Sequence, residues 1–273
     1  MFSDYFFIKT VLCFLFLTAA GYQDIRTRTV PDSLWGKLLL LTFPILILET
    51  MKIGAEIGIG SGFQYIFQIF FSGLLMFVAS TGLFYMKIFG GADAKALICL
   101  SLIFPVSFAD IFSALNSIAL ATLLNSVLFV SFLPILFFLK NLFHLKNQNQ
   151  TQKMNFDLLL CGIGFRTDIP KIIQKSKSGK DFYYLLLLER YDFSSPDPAS
   201  TKKIRLQGID FRDENETVYT CRLLESIQSG KISKSGWVTV GLPYLVWIAA
   251  GFVAALFFEN LILKIILKII VLF

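Results

Sequence analysis

The chain has 273 residues, 55% of them hydrophobic and 16% charged, with a mean hydropathy of +0.68. Soluble domains carry about 25% charged residues, so this deficit and the 30 phenylalanines exclude a soluble globular protein and indicate an integral membrane protein. The net charge of +6 does not point to nucleic acid, because the basic residues flank apolar runs and form no basic face interleaved with aromatics.

A membrane-spanning helix takes about 20 mainly apolar residues. The first such run, about 5–22, has no basic cluster ahead of it and reads as a spanning helix, not as a cleaved signal peptide. Further spans are predicted at about 34–51, 65–87, 93–110, 112–139 and 238–258. Pro105 distorts the last turn of the fourth, and the fifth is long enough to tilt. Residues 141–237 differ in kind. They hold charges and the turn signals KSKSGK and SSPDP, with DFYYLLLLER and TVYTCRLL as strand-like runs and no catalytic motif. A docking or scaffold role suits them. The closing run LILKIILKIIVLF is too short to span; Lys264 and Lys268 share a face, so it reads as an interfacial helix, the alternative being an extension of the sixth span. The expected fold is an all-α polytopic membrane protein of six transmembrane helices with an inserted cytosolic α/β or mainly β domain, divided as 1–140, 141–237 and 238–273.

If the helices alternate, Arg26, Arg28, Lys87, Lys95, Lys140, Lys146, Lys231 and Lys234 fall on one side, opposite Glu49, Lys52, Glu56, Asp110 and Glu259. The basic side is then cytoplasmic, with both termini outside. Cys13, Cys99, Cys161 and Cys221 are scattered without a CxxC, and His144 is the single histidine. No disulfide framework, metal or other cofactor is expected.

Charged residues at the ends of spanning helices are functional candidates. Asp24 closes the first helix in AAGYQDIRTRTVPD and Asp93 opens the fourth in FGGADAKAL. Alternation puts both at the same cytoplasmic depth, where antiparallel packing of the two helices would join them. Two adjoining carboxylates do not both ionise easily. The charged one can take a proton from water while the neutral one polarises an amide carbonyl. Gly90 and Gly91 permit unusual backbone angles and close approach of an extended substrate. Asp93 near a helix start has its anion favoured by the dipole, and Asp24 at a helix end does not, so Asp24 is expected to carry the shared proton more often. The bland alternatives are an N-cap for Asp93 and an ion pair with Arg26 for Asp24. Asp32 reads as the N-cap of the second helix or as an attractor of a basic substrate. Lys95 reads as a snorkelling lysine or a loop-positioning one.

GGADAK resembles the GxGD signature of membrane aspartic proteases and, with the following Lys95, that of the type IV prepilin peptidases. DIRTRTVPD resembles the aspartate, basic stretch and proline that end their first helix. GWVTVGLPYLVWIAAGF, Gly236–Phe252, resembles the WVTPGxPF pattern that begins the last helix of archaeal preflagellin and prepilin peptidases. Ala92 stands in place of the third-position glycine, and Val240 in place of proline. The resemblance implies Asp24 and Asp93 as the catalytic pair, beside which Gly90, Gly91, Ala92 and Lys95 read as loop-shaping or substrate-binding residues. It also implies cytoplasmic removal of a short basic leader from prepilin-like or preflagellin precursors, with the lipid bilayer as the surrounding partner.

Rival classes are weighed on the same residues. IGSGF (59–63) lacks the first glycine of a rhomboid GxSG, and Gln23 stands where presenilin-type proteases carry tyrosine. A proton- or cation-coupled transporter using Asp24 and Asp93 would show repeats or broken helices at the midplane. A noncatalytic scaffold would tolerate loss of either aspartate.

Overall fold

The computed structural model describes residues 4–86, 89–105, 117–147, 158–178, 184–195, 197–210, 217–241 and 243–272. Two compact units make up the chain: residues 1–130 with 243–273, and residues 131–242. The expected boundaries lay at 140/141 and 237/238. The second unit begins earlier because α6 (Leu133–Asn147) packs within it, and ends later because strand β4 (Ser235–Gly241) runs past Val238.

The first unit is helical. Helices α1 (Asp4–Thr27), α2 (Asp32–Ile57) and α3 (Ile59–Tyr85) are long and apolar enough to cross a membrane. So is the stretch Ile118–Leu142, which holds α5 (Ile118–Ser131) and the start of α6. With their exposed belt of side chains such as Leu40, Phe43, Phe63, Phe70 and Val78, these helices make a multi-pass membrane protein. Among the described residues the helices of this length number four, not six. The fourth predicted span is the short α4 (Gly91–Ile103), whose helix stops at Ile103, two residues ahead of Pro105; residues 106–110 lie outside the described ones. Likewise residues 112–116 of the fifth prediction lie outside, and Pro134 in the first turn of α6 follows the break at Phe132. The sixth prediction shortens to α10 (Tyr244–Phe258), since residues 238–241 pair in a sheet.

No loop separates α2 from α3. Gly58, at φ 126°, turns the chain in one residue, a conformation that side-chain-bearing residues rarely adopt. Because α2 continues to Ile57, Glu49 lies within the helix. Buried Lys9 of α1 sits 2.6 Å from Glu49 Oε2, and the Tyr65 hydroxyl of α3 donates to the same oxygen at 2.6 Å. This charged knot ties three helices together. Helix α4 is buried on most of its surface, from Asp93 and Ala94 to Leu100 and Ile103, and forms the axis around which α1, α2, α3 and α10 pack. After α10 the chain turns at Glu259, which takes φ 57°, and the Asn260 carboxamide oxygen accepts the Leu263 N–H. Helix α11 (Leu261–Leu272) is therefore a separate helix and not a straight continuation of α10. Asn125 holds the junction by donating to the Glu259 carbonyl and accepting from Leu261 N–H.

The second unit is mixed α/β. Strands β1 (Phe165–Asp168), β2 (Tyr184–Arg190), β3 (Lys203–Asp210) and β4 form one antiparallel sheet in the order β1-β4-β2-β3. Short α7 (Leu158–Ile163) precedes it, and α8 (Ile169–Ser178) and α9 (Thr217–Gln228) complete the unit. Ile169, Ile172 and Ile173 share a core with Leu187, Val238, Leu223 and Ile227. DFYYLLLLER supplies β2 as expected, but TVYTCRLL is helical. Its buried positions Thr220, Leu223 and Ile227 recur at helix spacing and outweigh its β-branched start.

Candidate active site

The last turn of α1 and the first turn of α4 meet. Cys13 and Cys99 lie within electrostatic reach of each other, as do Asp24 and Asp93, so α1 and α4 run antiparallel. Asp93 is buried, and Asp24 keeps 13% of its side chain exposed. Arg28 follows α1 in the left-handed region at φ 58°, an uncommon position for a residue with a side chain and one that tends to occur at functional sites. Its guanidinium turns back to 4.0 Å from Asp24 Oδ1 and also acts on Asp93. The expected partner, Arg26, instead lies over the Tyr22 ring, 5.0 Å from its centroid.

Asp93 is the third residue of α4, and its Oδ2 accepts the Gly90 N–H at 2.8 Å. Gly90 has φ −77° and ψ 162°, extended backbone open to any residue, so the expectation of unusual angles fails. A Cβ there would stand 3.1 Å from Asp93 Oδ2, a tight contact that a shift of the carboxylate by a few tenths of an ångström would relieve. A Cβ on Gly91 would meet only an ordinary contact with Phe84, and Ala92 packs half-buried against the core. Lys95, exposed, reaches 2.5 Å from Asp32 Oδ1 and joins the starts of α2 and α4. Asp32 is thus the first residue of α2, with no side-chain cap, and serves as the ion-pair partner of Lys95 in place of capping.

Helix α10 contributes what the sequence reading missed. The Leu245 backbone amide acts electrostatically on the Asp24 carboxylate, so the start of α10 lies near Asp24, while the start of α4 holds Asp93. Next to Leu245, the Tyr244 ring packs on Phe89 with centroids 4.7 Å apart, and its hydroxyl lies 3.1 Å from Ser126 Oγ. Ser126 Oγ already donates to the Leu123 carbonyl at 2.7 Å. The hydrogen between the two hydroxyls therefore comes from Tyr244, which leaves its oxygen as an acceptor within electrostatic reach of Asp93. The only sequence signal for Tyr244 was its place after Pro243 at the start of the last helix.

Close packing seats α10. A Cβ on Gly251 would stand 2.5 Å from the Thr122 carbonyl and 2.9 Å from the Ser126 nitrogen of α5. Gly251→Ala is expected to destabilise the protein by about 1–3 kcal/mol. A thermal melt in detergent that matches wild type would contradict this packing.

Residues 11–139 match the type IV leader peptidase family, and residues 158–260 match the archaeal peptidase A24 C-terminus, type II. The first match contains Asp24 and Asp93, and the second contains Tyr244. No curated protein matches the chain. Neither match lends support to the transport reading.

Proposed function

The chain belongs to the type IV leader peptidase family, with the archaeal C-terminal region, and we propose that this membrane protease is an aspartic endopeptidase in which Asp24 and Asp93 form the catalytic pair. Its substrates are prepilin-like or preflagellin precursors, from which it removes a short basic leader at the cytoplasmic face. Helices α4 and α10 serve as the two short members of a six-helix membrane domain, with both termini outside. The observation that carries this reading is the convergence of the two carboxylates from α1 and α4 at helix ends, beside Arg28 and the Leu245 N–H.

In this mechanism the charged carboxylate takes a proton from a water molecule as its oxygen attacks the scissile carbonyl carbon. The neutral carboxyl gives its proton to the carbonyl oxygen. When the tetrahedral intermediate collapses, the newly protonated carboxyl delivers its proton to the departing amide nitrogen, and the other recovers its own. Arg28 offsets the negative charge of the pair. The three small residues 90–92 leave room for an extended substrate, and Lys95 with Asp32 braces the start of α4. No metal or cofactor enters.

Tyr244 stands where the WVTPGxPF pattern has phenylalanine. Its oxygen accepts a hydrogen bond from a substrate N–H or from the neutral carboxyl. Tyr244→Phe is expected to lower kcat/KM about 2- to 10-fold, the range of one net hydrogen bond. An unchanged kcat/KM would remove Tyr244 from the site. The function itself is tested by incubating the purified protein with a precursor bearing a basic leader and following the mobility shift. Release of the leader supports the proposal, and intact precursor across pilin-like and archaellin-like substrates contradicts it.

A further inference from the structure

Helix α11 carries a broad exposed apolar surface. Ile265, Ile266, Leu267, Ile269 and Ile270 are each between 41% and 63% exposed. A run of this kind marks an interaction surface. The charges of the helix occupy one side only. At about 100° per residue, Lys264 and Lys268 share a narrow stripe, and Ile262, Ile266, Ile269 and Ile270 fall on the opposite side. Lys264 Nζ lies 3.3 Å from Glu259 Oε2, and both side chains are exposed, so this ion pair extends the charged stripe.

Two features decide what covers the apolar side. One is continuity with a membrane surface. Helix α11 follows α10 in the helical unit whose α1, α2 and α3 carry the exposed apolar belt. The other is length. Its 12 residues reach ~18 Å against a hydrocarbon core of about 30 Å, and a spanning placement would put both lysines among acyl chains. The break from α10 is also built into the chain. Glu259 takes φ 57°, and the fully buried Asn125 bonds both sides of the break, at the Glu259 carbonyl and the Leu261 N–H. The angle between α10 and α11 is therefore set by packing and not by a free hinge. A helix too short to span, with a wide apolar side and a narrow cationic one, lies in the bilayer interface. There the lysine stems run along the apolar surface and their ammonium groups reach the headgroups.

We infer that α11 is an interfacial anchor, lying in the surface of the phospholipid bilayer. Ile262, Ile266, Ile269 and Ile270 face the acyl chains, and Lys264 and Lys268 face headgroups and water. The anchor pins the far end of α10, whose first turn stands beside Asp24 ~22 Å away. It is independent of the peptidase reading, and its test reads depth and not cleavage.

In a Cys221→Ser background, which leaves only buried cysteines, Ile262→Cys, Lys264→Cys, Ile266→Cys, Lys268→Cys and Ile270→Cys are each spin-labelled. None of these five side chains is buried, so the labels displace no core contact. The full chain is placed in nanodiscs of phosphatidylcholine and phosphatidylglycerol. Collision with oxygen, which concentrates in acyl chains, is compared with collision with a nickel chelate, which stays in water. The oxygen-to-nickel ratio is expected to rise at 262, 266 and 270 and to fall at 264 and 268, following the helix period. A ratio that changes steadily from 262 to 270 would mean that α11 inserts across the bilayer, and overturns the inference. Nickel access at every position would put the helix in water. Loss of both collisions at 266 and 270 would put protein, such as a second copy of the chain, on the apolar side. Either of these results overturns the inference as well.

Discussion

Asp93→Asn and Asp24→Asn are each expected to lower the initial rate of precursor cleavage by about 10²- to 10⁴-fold, the range for loss of a positioned acid or base. Asparagine keeps the size of aspartate but cannot exchange a proton in the cycle. At position 93 its amide oxygen can still accept the Gly90 N–H that the carboxylate accepts at 2.8 Å. At position 24 the carboxamide keeps the polarity that the neighbouring Leu245 amide acts on. The attraction lost there is to Arg28 at 4.0 Å, a partly exposed pair of small energetic weight. Both variants should therefore fold, which circular dichroism and a thermal melt can verify, while gel-shift rates collapse. A folded variant cleaving at the wild-type rate would acquit its aspartate.

Lys9→Met is expected to destabilise the membrane unit by about 1–3 kcal/mol, because it leaves the half-buried Glu49 carboxylate without its cation. Lys9 is 2% exposed and touches both Glu49 and, at 3.5 Å, the Tyr65 hydroxyl. The partner that remains, the Tyr65 O–H at 2.6 Å, satisfies one lone pair of the carboxylate and leaves its charge uncompensated. The double variant Lys9→Met/Glu49→Met removes both charges and should recover most of the loss. Thermal unfolding in detergent reads both. A single variant as stable as wild type would mean that the ion pair does not hold α1 to α2 and α3.

The meeting of Asp24 and Asp93 was legible because helix alternation fixes depth, and depth needs only the count of apolar runs between the two residues. Their surroundings were not legible in that way. Arg28 and Arg26 differ by two residues, and the choice between them rests on a left-handed backbone at position 28 that no local pattern announces. The Leu245 N–H and the Tyr244 hydroxyl reach the site from more than two hundred residues beyond Asp24, through helix packing that Gly251 permits. Span ends were misjudged where another force takes over. Strand pairing claims residues 238–241, and Pro105 stops α4 early. At Gly90 the backbone is ordinary and extended, and what the glycine leaves is space next to the Asp93 carboxylate.

The most direct test of the carboxylate pair is a double-mutant cycle under single-turnover conditions. Cleavage of one leader-bearing precursor is timed for wild type, Asp24→Asn, Asp93→Asn and the double variant. Groups that act as one unit lose their effect together, so the double variant should be no slower than the slower single variant. Losses that multiply, or near-wild-type cleavage by either folded single variant, would contradict a shared catalytic role for Asp24 and Asp93.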